Sequence, residues 1–209
     1  MSEITTDFLE MKFSKDIATR LRMGRHITAA NGEAFAELLG NEATYRAIFD
    51  KMGYSLLSGA GPAAKHVEYF YFGSFDGAEV KSDTQKKMIA LYCAIRVHLQ
   101  NVYASATQGY GSQLIRILNG EASFGADVAQ AIMNTHELRL RLARHDITSL
   151  NDVERVLAHM VYYGFFSKDE SSGSYTMLAS VFRIEQEFAV VEERLKVFSA
   201  NKADEQQAA

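Results

Sequence analysis

The stretch from Gly24 to Phe72 constrains this chain more than any other part. It runs GRHITAANGEAFAELL, then NEATYRAIFDKMGYSLL, and closes on EYFYF. Phe35, Leu38 and Leu39, and then Tyr45, Ile48, Phe49 and Met52, recur at the three-to-four spacing of helices with one buried face. Asn31 and Asn41 stand where helix caps are needed, and Gly53 stops the second helix. Beyond it, Tyr54, Leu56 and Ser58 alternate with Ser55 and Leu57. Val67, Tyr69 and Tyr71 alternate with Glu68, Phe70 and Phe72 after the small loop Gly59-Ala60-Gly61-Pro62-Ala63-Ala64. Short helices closed by a hairpin form the body of a winged helix, a module that binds nucleic acid or protein. Both faces of the return strand are mostly apolar. The hairpin must therefore pack on its own helices at one side and on a second domain or subunit at the other.

The totals narrow the partners. A chain of 209 residues holds one large domain or two small ones. Its single proline favours long helices over a sandwich or barrel. With a net charge of −4, any nucleic-acid contact is expected to be a local patch and not a wholly basic surface. The lone Cys93 leaves no disulfide and no cysteine zinc site, which fits a reducing cytoplasm. MSEITTDFLEMKF lacks the apolar run of a signal peptide, and no segment approaches the ~18 apolar residues of a membrane span.

In chain order, residues 1–12 and 201–209 read as disordered ends. Residues 13–79 form the first winged helix. Phe13, Ile17 and Leu21 share one face of its first helix, which Ser14, Lys15 and Asp16 can cap and Gly24 ends. Residues 80–126 are bridging helices. The longest runs from about residue 80 to Ala104, roughly 35 Å, with Met88, Leu91, Tyr92, Ile95, Leu99, Val102 and Tyr103 as its buried stripe. Lys81, Lys86, Lys87, Arg96 and Gln100 form the solvated face. After a break at Gln108–Ser112 comes a short helix, Gln113–Leu118. Residues 127–200 form the second winged helix with a C-terminal amphipathic helix. Asp127–His145 reads as one long helix bearing Val128, Ile132, Leu138 and Leu142. Ser149, with Asp152 as its acidic partner, caps the next. Tyr163-Gly164-Phe165-Phe166, the turn SKDESSGS and Tyr175–Leu178 supply a second wing. The expected fold is mostly α with small β-hairpins, as tandem winged-helix domains joined by a long helix. At the end, Met177, Val181, Ile184, Phe188, Val191, Leu195 and Phe198 fall at alternating steps of four and three, an a/d seam. That helix lies either in a groove of its own protein or against a partner.

Chemistry-bearing patterns are scarce. Gly59-Ala60-Gly61 opens no dinucleotide fingerprint, and the run to Lys65 lacks the second glycine of a phosphate loop. His136-Glu137 has Leu140 where a zinc-protease helix needs its second histidine, and His136 and His145 are out of register for one metal. No nucleophile elbow exists, and nothing activates Cys93. No enzyme activity, metal or cofactor is expected. The candidate nucleic-acid patch is Arg139, Arg141 and Arg144, flanked by His136 and His145. Arg155 and Lys168 can join it if the fold brings them close. Guanidinium forks match phosphate oxygens, although Glu137, Asp146 and Glu154 could equally hold these arginines on a solvated face. Lys65 and His66 are a weaker second patch. Candidate protein-interface residues are Tyr69, Tyr71 and Phe72 on the first wing, and Ile184, Phe188, Val191 and Leu195 on the last helix.

LRMGRHIT, the short helix after it, YRAIFDKMGYSLL and EYFYF together resemble the MukE/MksE family, the tandem winged-helix or kite subunits of bacterial SMC condensins. The likeness is strongest over Leu21–Phe72 and continues as layout beyond. It implies a cytoplasmic, nucleoid-associated homodimer that binds an MksF-like kleisin and, through it, an MksB-like SMC ATPase. It also implies help in clamping double-stranded DNA with little regard to sequence, in chromosome organisation or plasmid defence. The rival reading is a dimeric winged-helix transcription regulator with the last helix as its seam. Within the first domain the third helix, Asn41–Met52, offers only Arg46 and Lys51, set against Glu42 and Asp50. That is too neutral for a recognition helix. Protein contact is therefore expected of the first domain, and DNA contact of the second.

Overall fold

A computed structural model describes residues 11–61, 64–73, 83–104 and 110–184. The first unit starts with helix α1 (Ser14–Arg22), strand β1 (Ile27–Thr28) and a 3-10 turn at Ala29–Asn31. Helices α2 (Glu33–Gly40) and α3 (Glu42–Lys51) follow, then strands β2 (Ser55–Gly59) and β3 (Tyr69–Gly73). The strands form one antiparallel sheet in the order β1-β3-β2, with Ile27 opposite Phe70 and Leu57 opposite Tyr71. Next come the long helix α4 (Asp83–Ala104), α5 (Tyr110–Leu118) and β4 (Ser123–Phe124). Helices α6 (Val128–Asn134), α7 (His136–Ala143) and α8 (Leu150–Tyr162) lead to strands β5 (Phe166–Lys168) and β6 (Tyr175–Met177). The second sheet has the order β4-β6-β5, again antiparallel. Helix, strand, helices, strand, strand thus occurs twice with the same sheet order, and the chain is mostly helical with two small three-stranded sheets.

Each unit has its own core. In the first, Ile17, Leu21, Ile27, Leu38, Tyr45, Phe49, Leu56 and Phe70 are buried together. Each such aliphatic or phenylalanine side chain contributes ~1.5–3 kcal/mol of burial. Met88, Leu91, Tyr92, Ile95 and Leu99 of α4 all belong to the second core, beside Ile117, Ile132, Leu142, Val153, Leu157 and Met160. The long helix is therefore the central post of the second unit, not a free span between two units. Within that stripe Val102 is the exception at 47% exposed, while Tyr103 beyond it is half-buried against the same core.

Several local expectations are overturned by nearby geometry. Ser14 is buried and does not cap α1, whose N-cap is Phe13. Asn31 does not cap α2, since its side chain turns back to accept from the Thr28 amide at 2.8 Å and Gly32 takes the N-cap position. Asn41 occupies the N-cap position of α3 without a side-chain cap bond, because its Nδ2 donates back to the Glu37 carbonyl at 2.9 Å. Leu39 and Met52 face solvent. The stretch Asp127–His145 is two helices, broken where Thr135 adopts an extended backbone (φ −85, ψ 108). Helix α5 starts at Tyr110, inside the stretch expected as a break. Strand β4, two residues long, carried no strand pattern at all. It draws the second sheet's first strand from the stretch assigned to the bridging helices.

The helix stops follow the sequence closely. Gly24 has φ +74, and Arg25 N–H bonds Arg20 C=O while Gly24 N–H bonds Leu21 C=O, both at 3.0 Å. This is a Schellman turn. The same pair of bonds closes α3 at Gly53, α5 at Gly120 and α8 at Gly164. At the other end of α8, Ser149 Oγ accepts from Asp152 N–H at 3.2 Å and Asp152 Oδ2 accepts from Ser149 N–H at 3.0 Å, the expected capping box. The hydroxyl of Ser149, with help from the Thr148 amide, holds the Asp152 carboxyl down at about 2. Replacing Ser149 with alanine should lower stability by ~1 kcal/mol in urea unfolding, with an unchanged slope.

Candidate functional site

Two features could carry function: the joint between the units and a groove on the second. The joint is made where two glycine-closed helix ends meet. The turn Gly24-Arg25-His26 after α1 lies against Tyr162-Tyr163-Gly164 after α8. His26 N–H donates to the Tyr163 carbonyl at 2.9 Å, and His26 Nδ1 donates to that same oxygen at 2.9 Å. Arg25 Nε donates to the Tyr162 carbonyl at 2.7 Å, and its guanidinium lies over the Tyr162 ring. With Nδ1 carrying the proton, Nε2 is left as an acceptor, and Arg183 Nη1 approaches it at 3.3 Å. The Arg183 guanidinium stacks on Tyr71, 4.2 Å from the ring centre. Phe165 and Tyr69 complete the cage around the imidazole at centroid distances of 4.6 and 5.9 Å. Ser180, also buried, donates its hydroxyl to the Gly164 carbonyl.

His26 is 3% exposed. Burial first, and then the Arg183 charge, push it down to about 4, against the opposing pull of the Tyr163 carbonyl. The neutral ring is thus part of the joint. The sequence singled out Gly-Arg-His-Ile as a turn, but nothing local marks His26 as buried among residues more than 130 positions away. Beside the joint, a cleft of about 310 Å³ opens between Arg22, Met23 and Gly24 of the first unit and Gln85, Met88, Tyr163 and Arg183 of the second.

The second feature is a groove of about 380 Å³ between α4 and α7. Ile89, Ala90, Cys93, Ala94 and Val97 line it along α4, with Leu138 from α7; Lys86, Arg141, Arg144 and His145 rim it. The arginine patch is therefore brought partly together. Arg141 is exposed and pairs with Glu137 at 2.6 Å, as the solvated-face alternative anticipated. Arg144 is exposed and forms no ion pair among the described residues. Arg139 points elsewhere, within 3.5 Å of His136 Nδ1. Arg155 pairs with Asp152 at 2.6 Å, and Lys168 lies 3.6 Å from Glu170. Neither shares the groove. Exposed pairs of this kind contribute ~0–1 kcal/mol and open readily to a better anion. Lys86 reads in the sequence as plain solvated surface, yet it stands on the same rim as Arg141 and Arg144. Lys65 and His66 face Glu68 and Glu121 across a separate hollow.

The interface candidates divide sharply. Tyr69 is buried within the chain, and burial raises its phenol to about 12. Tyr71 is half-buried under Arg183, so the second side of the wing is met by the same chain's other unit. Phe72 packs inward on Phe49 and Tyr54. Ile184 is 4% exposed and packed in the second core. Phe188, Val191 and Leu195 lie outside the described residues. In α3, Arg46 is held by Glu42 at 2.5 Å and by the Leu56 carbonyl and Ser58 hydroxyl of β2, so it ties helix to wing. Among the described residues no cluster of metal-ligating side chains occurs, and no helix is long and apolar enough to cross a membrane.

Residues 12–188 match the family model for the condensin complex protein MksE. The chain belongs to the MksE family. It is accordingly a condensin-complex subunit, and the match spans both units and the joint between them. A search of curated proteins finds no match. In this MksE-family chain the joint makes two predictions. Between about 4 and the ordinary histidine value of 6.5, the unfolded chain binds a proton at His26 that the folded chain does not. Stability should therefore fall as the pH drops from about 6.5 towards 4, by on the order of 3 kcal/mol, and this contribution should level off below that. Urea midpoints for wild type and His26→Gln at pH 7 and pH 5 will check it, with a shallower acid loss in the variant. Gly164 has φ +79, and a Cβ there would stand 3.0 Å from the His26 carbonyl oxygen. Gly164→Ala should cost more than ~1 kcal/mol of thermal or urea stability.

Proposed function

We propose that this chain is a non-catalytic kite subunit that dimerises, binds the kleisin of its condensin and helps clamp DNA against the SMC heads. The observation that carries this reading is the joint. Two winged-helix units are held as one body, and their meeting consumes the first wing's second face while the basic rim on the second unit stays exposed. A clamp needs that rigidity, because a groove held at a fixed angle to a bound partner can press on a duplex without reading its bases. Lys86, Arg141, Arg144 and His145 would meet phosphate, with Arg139, Arg155 and Lys168 as outlying contacts. The ATP chemistry belongs to the SMC partner in this scheme. The acidic net charge of the chain fits a subunit whose DNA contact is completed by basic partners. The output is chromosome organisation or plasmid defence.

Co-expression with an MksF-like kleisin from the same genome should give a stable complex holding two copies of this chain; failure to co-purify at modest salt would remove the kleisin assignment. In the assembled complex, Arg141→Glu with Arg144→Glu should weaken binding to random duplex DNA. The slope of log affinity against log salt should become shallower by roughly two. Because both side chains are exposed, melting should change little. An unaltered affinity and slope would take these two arginines off the DNA surface.

A further inference from the structure

We infer that the groove between α4 and α7 is the seat of an amphipathic helix with acidic flanks, contributed by another subunit of the complex. A condensin-complex subunit needs a face for a second protein. The first-wing residues expected to supply one, Tyr69, Tyr71 and Phe72, are packed within the chain instead. The groove has an unused apolar floor. It is made by Ile89, Ala90, Cys93, Ala94 and Val97 of α4 with Leu138 of α7, and Ile89, Ala90, Cys93 and Val97 are only half-buried.

The lining decides what kind of segment fits. Every lining residue belongs to α4, to α7 or to the two positions after α7, so no strand edge is presented and an extended peptide finds no ladder to join. A helix satisfies its own backbone and needs only side-chain contact. From Lys86 to Val97 the wall of α4 covers about three turns, ~16 Å, the length of a helix with anchors at i, i+3, i+4 and i+7. Ala90, Cys93 and Ala94 are small, so large apolar anchors can seat between the two helices.

The charge on the rim selects the partner. Lys86, Arg141 and Arg144 stand there with His145, all exposed, and no carboxylate lines the groove. Two of these cations already hold carboxylates of their own helices, Lys86 with Asp83 at 3.6 Å and Arg141 with Glu137 at 2.6 Å. Such exposed pairs exchange readily for carboxylates on an incoming helix, whereas a basic helix would set like charges face to face. The other hollows differ. Lys65 and His66 face Glu68 and Glu121, and at the joint His26 and Arg183 are engaged with one another. The inference uses the apolar floor, which a phosphate backbone cannot bury against, so it does not rest on the DNA reading above. While such a helix is seated, Arg141 and Arg144 are withheld from DNA.

The test uses the assembled complex, purified free of nucleic acid, with the full-length chain carrying p-benzoylphenylalanine in place of Ile89 or Val97. Illumination and peptide mass spectrometry identify what lies in the groove. From at least one position the expected cross-link runs to a segment of another subunit. That segment should carry apolar residues at i, i+3 or i+4 and i+7, with an excess of Asp and Glu beside them. Arg141→Glu with Arg144→Glu should lower the yield ~tenfold or more, because like charges then meet. A cross-link to residues 185–209 of the same chain, to a second copy, or to a segment without acidic flanks would overturn the inference. So would the absence of a cross-link from both positions. Cys93 gives a reading on the unaltered chain. Iodoacetamide should alkylate it at least ~tenfold more slowly in the complex than in the isolated chain, since access controls thiol reactivity. Equal rates would overturn the inference even with a cross-link in hand.

Discussion

One carbonyl oxygen, that of Tyr163, holds the two halves of this protein in register. It accepts from both the backbone amide and the ring Nδ1 of His26, each at 2.9 Å. That double bond to one acceptor sets the imidazole tautomer, which in turn offers Nε2 to Arg183. Arg183 then covers Tyr71, and the first wing is seated on the second unit. Burying these groups without partners would be costly, because each unsatisfied polar atom loses ~1–3 kcal/mol of hydration. No described buried side-chain nitrogen or oxygen is left without a partner. The joint is therefore a polar lock inside an aromatic cage of Tyr69, Tyr71 and Phe165.

The long helix α4 gives that lock its leverage. Its buried face is the centre of the second core, while its N-terminal turns, Thr84 to Ile89, line the cleft beside the first unit. The adjacent face, from Lys86 to Val97, lines the groove under Arg141 and Arg144. One rigid element thus contacts the core, the joint and the basic surface. Any partner that presses on the groove acts on the helix that also borders the joint.

Much of the architecture was legible in the sequence because it is encoded by short-range patterns. The three-and-four spacing of Ile17 and Leu21, or of Val153, Leu157 and Met160, marks buried helix faces. Alternation along Tyr69–Phe72 marks the wing, and Ser149 with Asp152 marks a cap. Asn31 and Asn41 looked like caps and are not, because the Thr28 amide took the oxygen of the first and the Glu37 carbonyl took the amide of the second. Thr135 breaks a helix without a glycine or proline to announce it. The paired rims of the groove could not be read at all, since Lys86 and Arg144 meet only when α4 and α7 pack. The repeat was hidden for a different reason. It survives in the glycines at equivalent stops, Gly24 with Gly120 and Gly53 with Gly164, and not in the apolar letters. Helices α6 and α7 standing where α2 stands alone shift the spacing as well.

Because the acceptor at the centre of the joint is main chain, the lock is indifferent to much of the side-chain chemistry around it. The ring of Tyr163 packs on the second core and on Tyr162, and takes no part in presenting that oxygen. The burden of inheritance falls instead on two positions: His26, which supplies both donors, and Gly164, whose left-handed backbone aims the carbonyl before it.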